Sequence, residues 1–402
     1  MSSIQQRSGP VRRDPTQWSS LSEIKRVLVV IHTAVYGRRL QDVIHLFRAD
    51  LRVGVQFTVA PHAFNSGTET VLADLGSTAI PWDEARRTTF DLILTAGSQG
   101  MEQLTGPVVR LPHGAGHIKL SRPQDGAERT VGGFGRRYLT WEGRVVPVAF
   151  AVAHDEDLAA IGRWCPEALP ISEVVGDASY DRIALGLGHR AAYRRALGLG
   201  EDERFVLVSS TWGLGSAFNR LDSLLPRLLT ELPDHRVAIL VHPNVWSNYG
   251  SWQVRSWLGD ALGERIALVP PHHDWRPLLI AADFVIGDHG SVSLYGTMTG
   301  APILISRYPF RSVNQDSPGA QLARTAPALS LTAPLARQLE YAAERYRPDD
   351  YRVIASRISS QPGAFNSNTR RLLYRILELG EQAHRPDTEP LTLPVPLGAK
   401  EI

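Results

Sequence analysis

The feature that most constrains this chain is a rhythm that runs through it twice. Apolar runs of strand length alternate with helix-length amphipathic stretches, and strand after strand ends in a polar loop that carries glycine. Residues Lys25–Ile31 are rich in β-branched side chains and read as a strand buried on both faces. Residues 37–50 follow with helical spacing at Leu40, Val43, Ile44 and Phe47. Further strands are expected at 53–61, 90–95, 108–111, 145–152 and 174–175, with a short helix at 68–75. The pattern restarts at Arg204, with strands at 205–209, 237–241, 266–269, 284–287 and 302–305 and helices at 220–232, 251–262, 276–282 and 291–299. Such alternation predicts parallel, doubly wound sheets with ligands at the carboxyl ends of their strands. Two such α/β units in one chain should face each other across a cleft. The expected division is a tail at 1–20, a first Rossmann-like unit at 21–183, a second at 184–380 and a Pro-rich tail or strap at 381–402. The last helix, 369–379, could pack on either unit.

Composition removes several classes of function. A length of 402 residues is ample for two cores. A net charge of +2 lacks the basic excess of a nucleic-acid binder. One cysteine, Cys165, can build neither a disulfide nor a cysteine zinc site. No apolar run is long enough to span a bilayer and residues 1–20 lack a signal peptide's apolar segment, so the expected location is the cytoplasm. Only three of the 43 basic residues are lysines, at positions 25, 119 and 400. The arginine excess points to a high-GC genome, such as that of an actinobacterium, and gives weight to a lysine inside a motif.

Five strand-end segments carry the chemistry. After the 108–111 strand come His113, Gly114, Gly116, His117 and Lys119, two glycines for close approach with a base and cationic donors. Read blandly, this is a surface loop with two histidines, and a metal pair would need a third ligand that is not apparent. After the 237–241 strand, Pro243 ends the run and holds His242 at the sheet edge; a lone His-Pro is as often structural as functional. After the 284–287 strand, Asp288, His289 and Gly290 turn the chain into a helix starting at Ser291, Val292 and Ser293, whose free amides suit a diphosphate. Ordinary N-capping is the plain alternative. After the 205–209 strand, Thr211 and Trp212 offer a hydroxyl and a stacking face, but neither a dinucleotide fingerprint nor a P-loop is present. The fifth, Gly176 to Asp181, reads as a crossover turn into the second unit. His154 to Asp157 reads as the acidic first turn of a helix rather than a metal motif.

In this order the segments resemble the GT-B transferases, and most closely the CDP-glycerol glycerophosphotransferase family of teichoic-acid polymerases. The family's histidine-glycine motif with a following lysine is similar to His113, Gly114 and Lys119. Its turn at the end of the acceptor domain is similar to Gly176–Asp181, its His-Pro to His242 and Pro243, and its Asp-x-Ser-Ser-Val helix start to Asp288–Val292. The chain departs from the family at Val241, where arginine is expected, at Gly290, where serine is expected, and at Tyr295 and Gly296, in the region of an expected acid. The resemblance implies a two-domain transferase with a nucleotide-diphosphate donor in the second unit, CDP-linked by preference, and a hydroxyl acceptor in the first. The transferred group would be glycerophosphate-like or glycosyl, and the acceptor a small molecule of specialised metabolism. His113 would be the general base and His242 and Lys119 the other catalytic groups, with Lys119 and His117 neutralising developing charge. Gly290, Ser291 and the helix start, with His242, would hold the diphosphate, needing no metal and no cofactor beyond the donor. A histidine base with an ordinary pKa near 6.5 predicts a rate that rises with pH through that value. A UDP-sugar glycosyltransferase or 2-epimerase, and a non-catalytic nucleotide-binding accessory protein, stay open alongside, as does a homodimer.

Overall fold

The computed structural model describes residues 24–121, 129–259, 262–263 and 265–398. The expected tail at 1–20 and the chain end at 399–402 lie outside the described residues. The first sheet is built from β1 (Lys25–Ile31), β2 (Val53–Val59), β3 (Ala79–Ile80), β4 (Leu92–Thr95) and β5 (Val108–Arg110). A small antiparallel hairpin of β6 (Thr140–Trp141) and β7 (Arg144–Val145) follows, before β8 (Ala149–Val152) and β9 (Ser172–Val174) complete the sheet. The order is β3-β2-β1-β4-β5-β8-β9, with every pairing parallel. The second sheet holds β10 (Arg204–Ser210), β11 (His235–Val241), β12 (Ile266–Val269), β13 (Phe284–Gly287) and β14 (Ile303–Ile305), ordered β12-β11-β10-β13-β14 and again all parallel.

The alternation therefore folds into the expected α/β class, two Rossmann-like sheets with one winding order. In each sheet the direction of strand addition reverses beside its first strand, between β1 and β4 and between β10 and β13. Loops leaving those carboxyl ends diverge and open a crevice for ligands. The burial explains the runs: Val27 to Ile31 are all at most 1% exposed, as a strand covered by helices on both faces requires.

Local chemistry moved three boundaries. The 145–152 strand is confined to Ala149–Val152, because Glu142 and Gly143, both at positive φ, turn residues 140–145 into the hairpin. The helix expected at 251–262 begins eight residues earlier, at Pro243, and runs to Leu258 through a break at Gly250 (φ 80°, ψ 155°). Proline stops a strand but also suits the first helical position, and His242 caps it. The helix expected from Ser291 is α-helical only to Tyr295 and closes with a 3-10 turn at Gly296–Met298.

The chain crosses between the sheets more than once. The Phe365–Ile376 helix returns to the first sheet, where Phe365, Leu372, Leu373 and Tyr374 join Val27, Val29 and Leu94 in one core. Asp181, at the outward crossing, accepts from the amides of Gly363 (2.7 Å) and Phe365 (3.1 Å) at the return. Residues 381–398 lie as a strap: Leu391 enters the second unit's core, Arg182 donates to the carbonyls of Glu389 and Pro390, and Leu397 N–H reaches the Leu197 carbonyl.

Candidate active site

The loop after β5 is where the two units meet. Ile118 and Lys119 pair with the second unit as an antiparallel bridge: Asn314 N–H donates to the Ile118 carbonyl (2.7 Å) and Leu120 N–H to the Ser312 carbonyl (3.0 Å). Gly114 lies against Ser291; a Cβ there would stand 3.5 Å from its Oγ. Gly116 has φ +75°, and a Cβ on it would overlap Leu294 at 2.7 Å, so glycine is needed twice over. The loop expected on the acceptor side is thus fastened to the second unit.

Lys119 reaches across this junction. Its Nζ donates to Thr211 Oγ1 (3.3 Å) and the Trp212 carbonyl (3.5 Å) and stands 4.6 Å over the Trp212 ring. Burial lowers its pKa to about 8, partly offset by the charge of Asp288. His242 Nδ1 accepts from Asn244 N–H (3.0 Å), which assigns the proton to Nε2 and leaves that atom a donor. Desolvation, with the charges of Lys119 and His113, lowers its pKa to about 3 and keeps it neutral. His113 is solvent-accessible yet lies deep in the crevice, against the Tyr36 ring at 4.7 Å. Desolvation first, then His117, Arg110, Lys119 and Arg39, lower its pKa to about 3. His113, Lys119, His242, Thr211, Trp212, Gly114 and Ser291 therefore share one locality.

Four other expected residues are turned toward the frame or packed on it. Asp288 is 2% exposed and turns inward: Oδ2 accepts from Thr211 N–H (2.9 Å) and Ala217 N–H (2.7 Å), and Oδ1 from Gly290 N–H (2.9 Å). It clamps the 211–217 loop to β13 and also occupies the Gly290 amide. Ser293 is 1% exposed and its Oγ accepts from Asp288 N–H (3.1 Å), so its hydroxyl faces the turn. Val292 packs on the second unit's core and His289 is buried with Nδ1 unpartnered. His117 stands apart. Its ring stacks on Phe134 at 3.6 Å, its Nδ1 faces the Gly132 carbonyl (3.2 Å), and it lines a separate cavity of about 460 Å³ with Arg129, Trp164 and Asn314. The segment from His154 is a helix start: His154 caps the Asp155–Trp164 helix in a capping box with Asp157. Among the described residues no group of three His, Cys, Asp or Glu side chains is placed to hold a metal ion, and no helix is long and apolar enough to cross a membrane.

Several site residues escaped the reading of the sequence. Arg39 Nε donates to the Pro112 carbonyl (3.2 Å), next to His113, while its other nitrogen meets Asp177 (2.8 Å). Tyr295, from the helix that starts at Ser291, donates to the same carboxylate (2.9 Å). Tyr36, in the first turn of the Ala34–Ile44 helix after β1, and His62 and Phe64, in the loop after β2, bring further rings. The strand-end rule that found His113 applies equally to His32 and His62; what it lacked was a glycine motif to draw attention.

Backbone comparison decides the fold. Over 88% of this chain and 88% of the other, it superposes on the wall teichoic acid polymerase TagF, in a structure with CDPG, at TM-score 0.59 and 13% identity. The fold is GT-B. The S. aureus MnaA–UDP structure matches at TM-score 0.52 and 12% identity over 90% of this chain and 99% of that one. A UDP-GlcNAc 2-epimerase from Neisseria meningitidis bound to UDP-GlcNAc matches at 0.53 and 13% over 88% and 100%. No family model matches the chain, and no curated protein matches its sequence. At these identities the likeness is one of GT-B architecture.

Proposed function

We propose that the chain is a metal-independent GT-B transferase that moves a glycerophosphate-like or glycosyl group from a nucleotide-diphosphate donor, CDP-linked by preference, to a hydroxyl acceptor. One observation carries this reading: a lysine, a neutral Nε2–H histidine and an accessible neutral histidine from both units converge where Gly114 meets Ser291. Lys119, His242 Nε2–H and the first amides of the 291–295 helix would receive the diphosphate and the charge that grows on the leaving phosphate oxygen. Lys119 is already held by weak partners, a hydroxyl and a carbonyl, which a phosphate would displace. His113, neutral and opposite, would take the acceptor's proton. GT-B neighbours whose structures hold CDPG, UDP and UDP-GlcNAc support a nucleotide-linked donor.

The test is calorimetric titration with CDP and UDP in EDTA, on the native chain and on Ser291→Asp. Aspartate at the first helical position favours the helix itself, so folding is kept while the carboxylate occupies the phosphate's place. Native binding in chelator and its loss in the variant are expected. Equal affinities for the two proteins would refute the site.

A further inference from the structure

Six rings form a chain of contacts that runs from His113 in the first unit to His242 in the second. Tyr36 lies 4.7 Å from His113 between centroids and 6.4 Å from His62, and His62 lies 5.9 Å from Phe64. Phe64 then crosses to the second unit, 5.4 Å from Trp212, and Trp212 continues to His242 at 6.4 Å. All six side chains keep accessible surface. The Phe64 crossing is fixed by Ser66, whose hydroxyl meets Ser247 at the start of the Pro243–Leu258 helix.

None of the six is acidic, and the histidines among them are all held below their ordinary pKa, so the wall is uncharged at neutral pH. Lys119 is the cation at the donor end, and Asp288 faces its backbone amides instead. A wall of ring faces suits a flat, uncharged body. The negative ring faces attract polarised C–H edges, and neutral imidazoles exchange hydrogen bonds with hydroxyls. A free phosphate at the Phe64 end would face rings and lose its water without recompense.

Resting on the transferase reading, we infer that the acceptor is an uncharged six-membered ring bearing a hydroxyl, a sugar or a phenol, held between Tyr36, Phe64 and Trp212. The hydroxyl oxygen bonds to the transferred group as its proton passes to His113. The bond from that group to the nucleotide's phosphate oxygen breaks, and its electron pair leaves on that oxygen beside Lys119.

Saturation-transfer NMR on the full chain, with and without CDP, tests this with methyl glucoside, 4-hydroxybenzyl alcohol, glycerol and glycerol 3-phosphate. A ring probe should receive saturation with CDP bound, and the two glycerol probes should not; whichever ring responds names the source. Phe64→Ala should weaken the ring probe at least tenfold and leave CDP affinity unchanged, and Phe64→Tyr should restore it. Stronger binding of glycerol 3-phosphate, no ring binding, an indifferent Phe64→Ala or displacement of the ring by CDP would each overturn the proposal. Loss of CDP binding in the native chain would instead sink the transferase reading beneath it.

Discussion

The proton affinity of His113, the proposed base, is set by its neighbours. Desolvation first, then His117 and the cations Arg110, Lys119 and Arg39, hold its pKa near 3, so it is neutral throughout the physiological range. The rise in rate through pH 6.5 expected of an ordinary histidine should therefore be missing. The titration that matters belongs to Lys119, at about 8. We expect kcat/KM to carry no limb from His113 between pH 5 and 7 and to fall as Lys119 loses its proton. Lys119→Arg, which stays charged, should move the falling limb beyond pH 9 at some cost in rate. A rate that climbs through pH 6.5, or a limb unmoved in the variant, would show that another group governs. His113→Ala should lower kcat about 10² to 10⁴-fold and leave nucleotide affinity within about threefold. These residues were legible because glycine, lysine and strand-end position coincide in one short stretch. Their pKa values were not, because those depend on which cations the fold gathers around them.

At the level of elements, the Ser291–Tyr295 helix and the loop after β5 are joined by a buried relay. Tyr295 donates to Asp177, Asp177 pairs with Arg39, and Arg39 holds the Pro112 carbonyl beside His113. Asp177 also caps the Ala178–Gly186 helix through Tyr180 N–H (2.7 Å). Tyr295, which stands where the resemblance leads one to expect an acid, thus presents a hydroxyl to an acid supplied by the other unit. Removing one donor from a buried carboxylate costs about 1–3 kcal/mol, and removing its ion partner about 3–5 kcal/mol. Urea unfolding should therefore rank native above Tyr295→Phe above Arg39→Met. Tyr295→Phe should also lower kcat, since the helix and His113 lose their common anchor. Equal midpoints for the two variants would argue that the relay is not a unit. No sequence pattern announces this relay: its members lie at positions 39, 112, 177 and 295, and only packing brings them together.

Across the whole molecule, folding holds many histidines neutral. His32, His113, His117, His242 and His289 all have pKa values lowered to about 3 or 4, with desolvation the first cause. The unfolded chain takes up protons near 6.5 that the fold refuses, so this stability is complete above pH 6.5 and drains away as pH falls toward 4. Burial raises Asp157 and Asp288 to about 6 and raises Asp181 as well, which works in the opposite direction. The histidines outnumber them, and a surplus of about two protons gives a slope of order 1–3 kcal/mol per pH unit near pH 5. Thermal midpoints measured from pH 7 to 4.5 should fall steeply; a flat series would mean that the crevice histidines stay hydrated. The same whole-molecule view separates what could be read early from what could not. The sequence by itself determined the parallel α/β class, the two units and most strand ends, because strand and helix periodicity and the residues that end each element are local properties of the chain. Tertiary structure alone decided that the β5 loop is bridged to the other unit, that the His117 ring packs on Phe134, that the Asp288 carboxylate turns inward and that rings from distant elements line up from His113 to His242. Most of those facts are contacts between segments separated in sequence, and their free energy arises only when the folded surfaces meet.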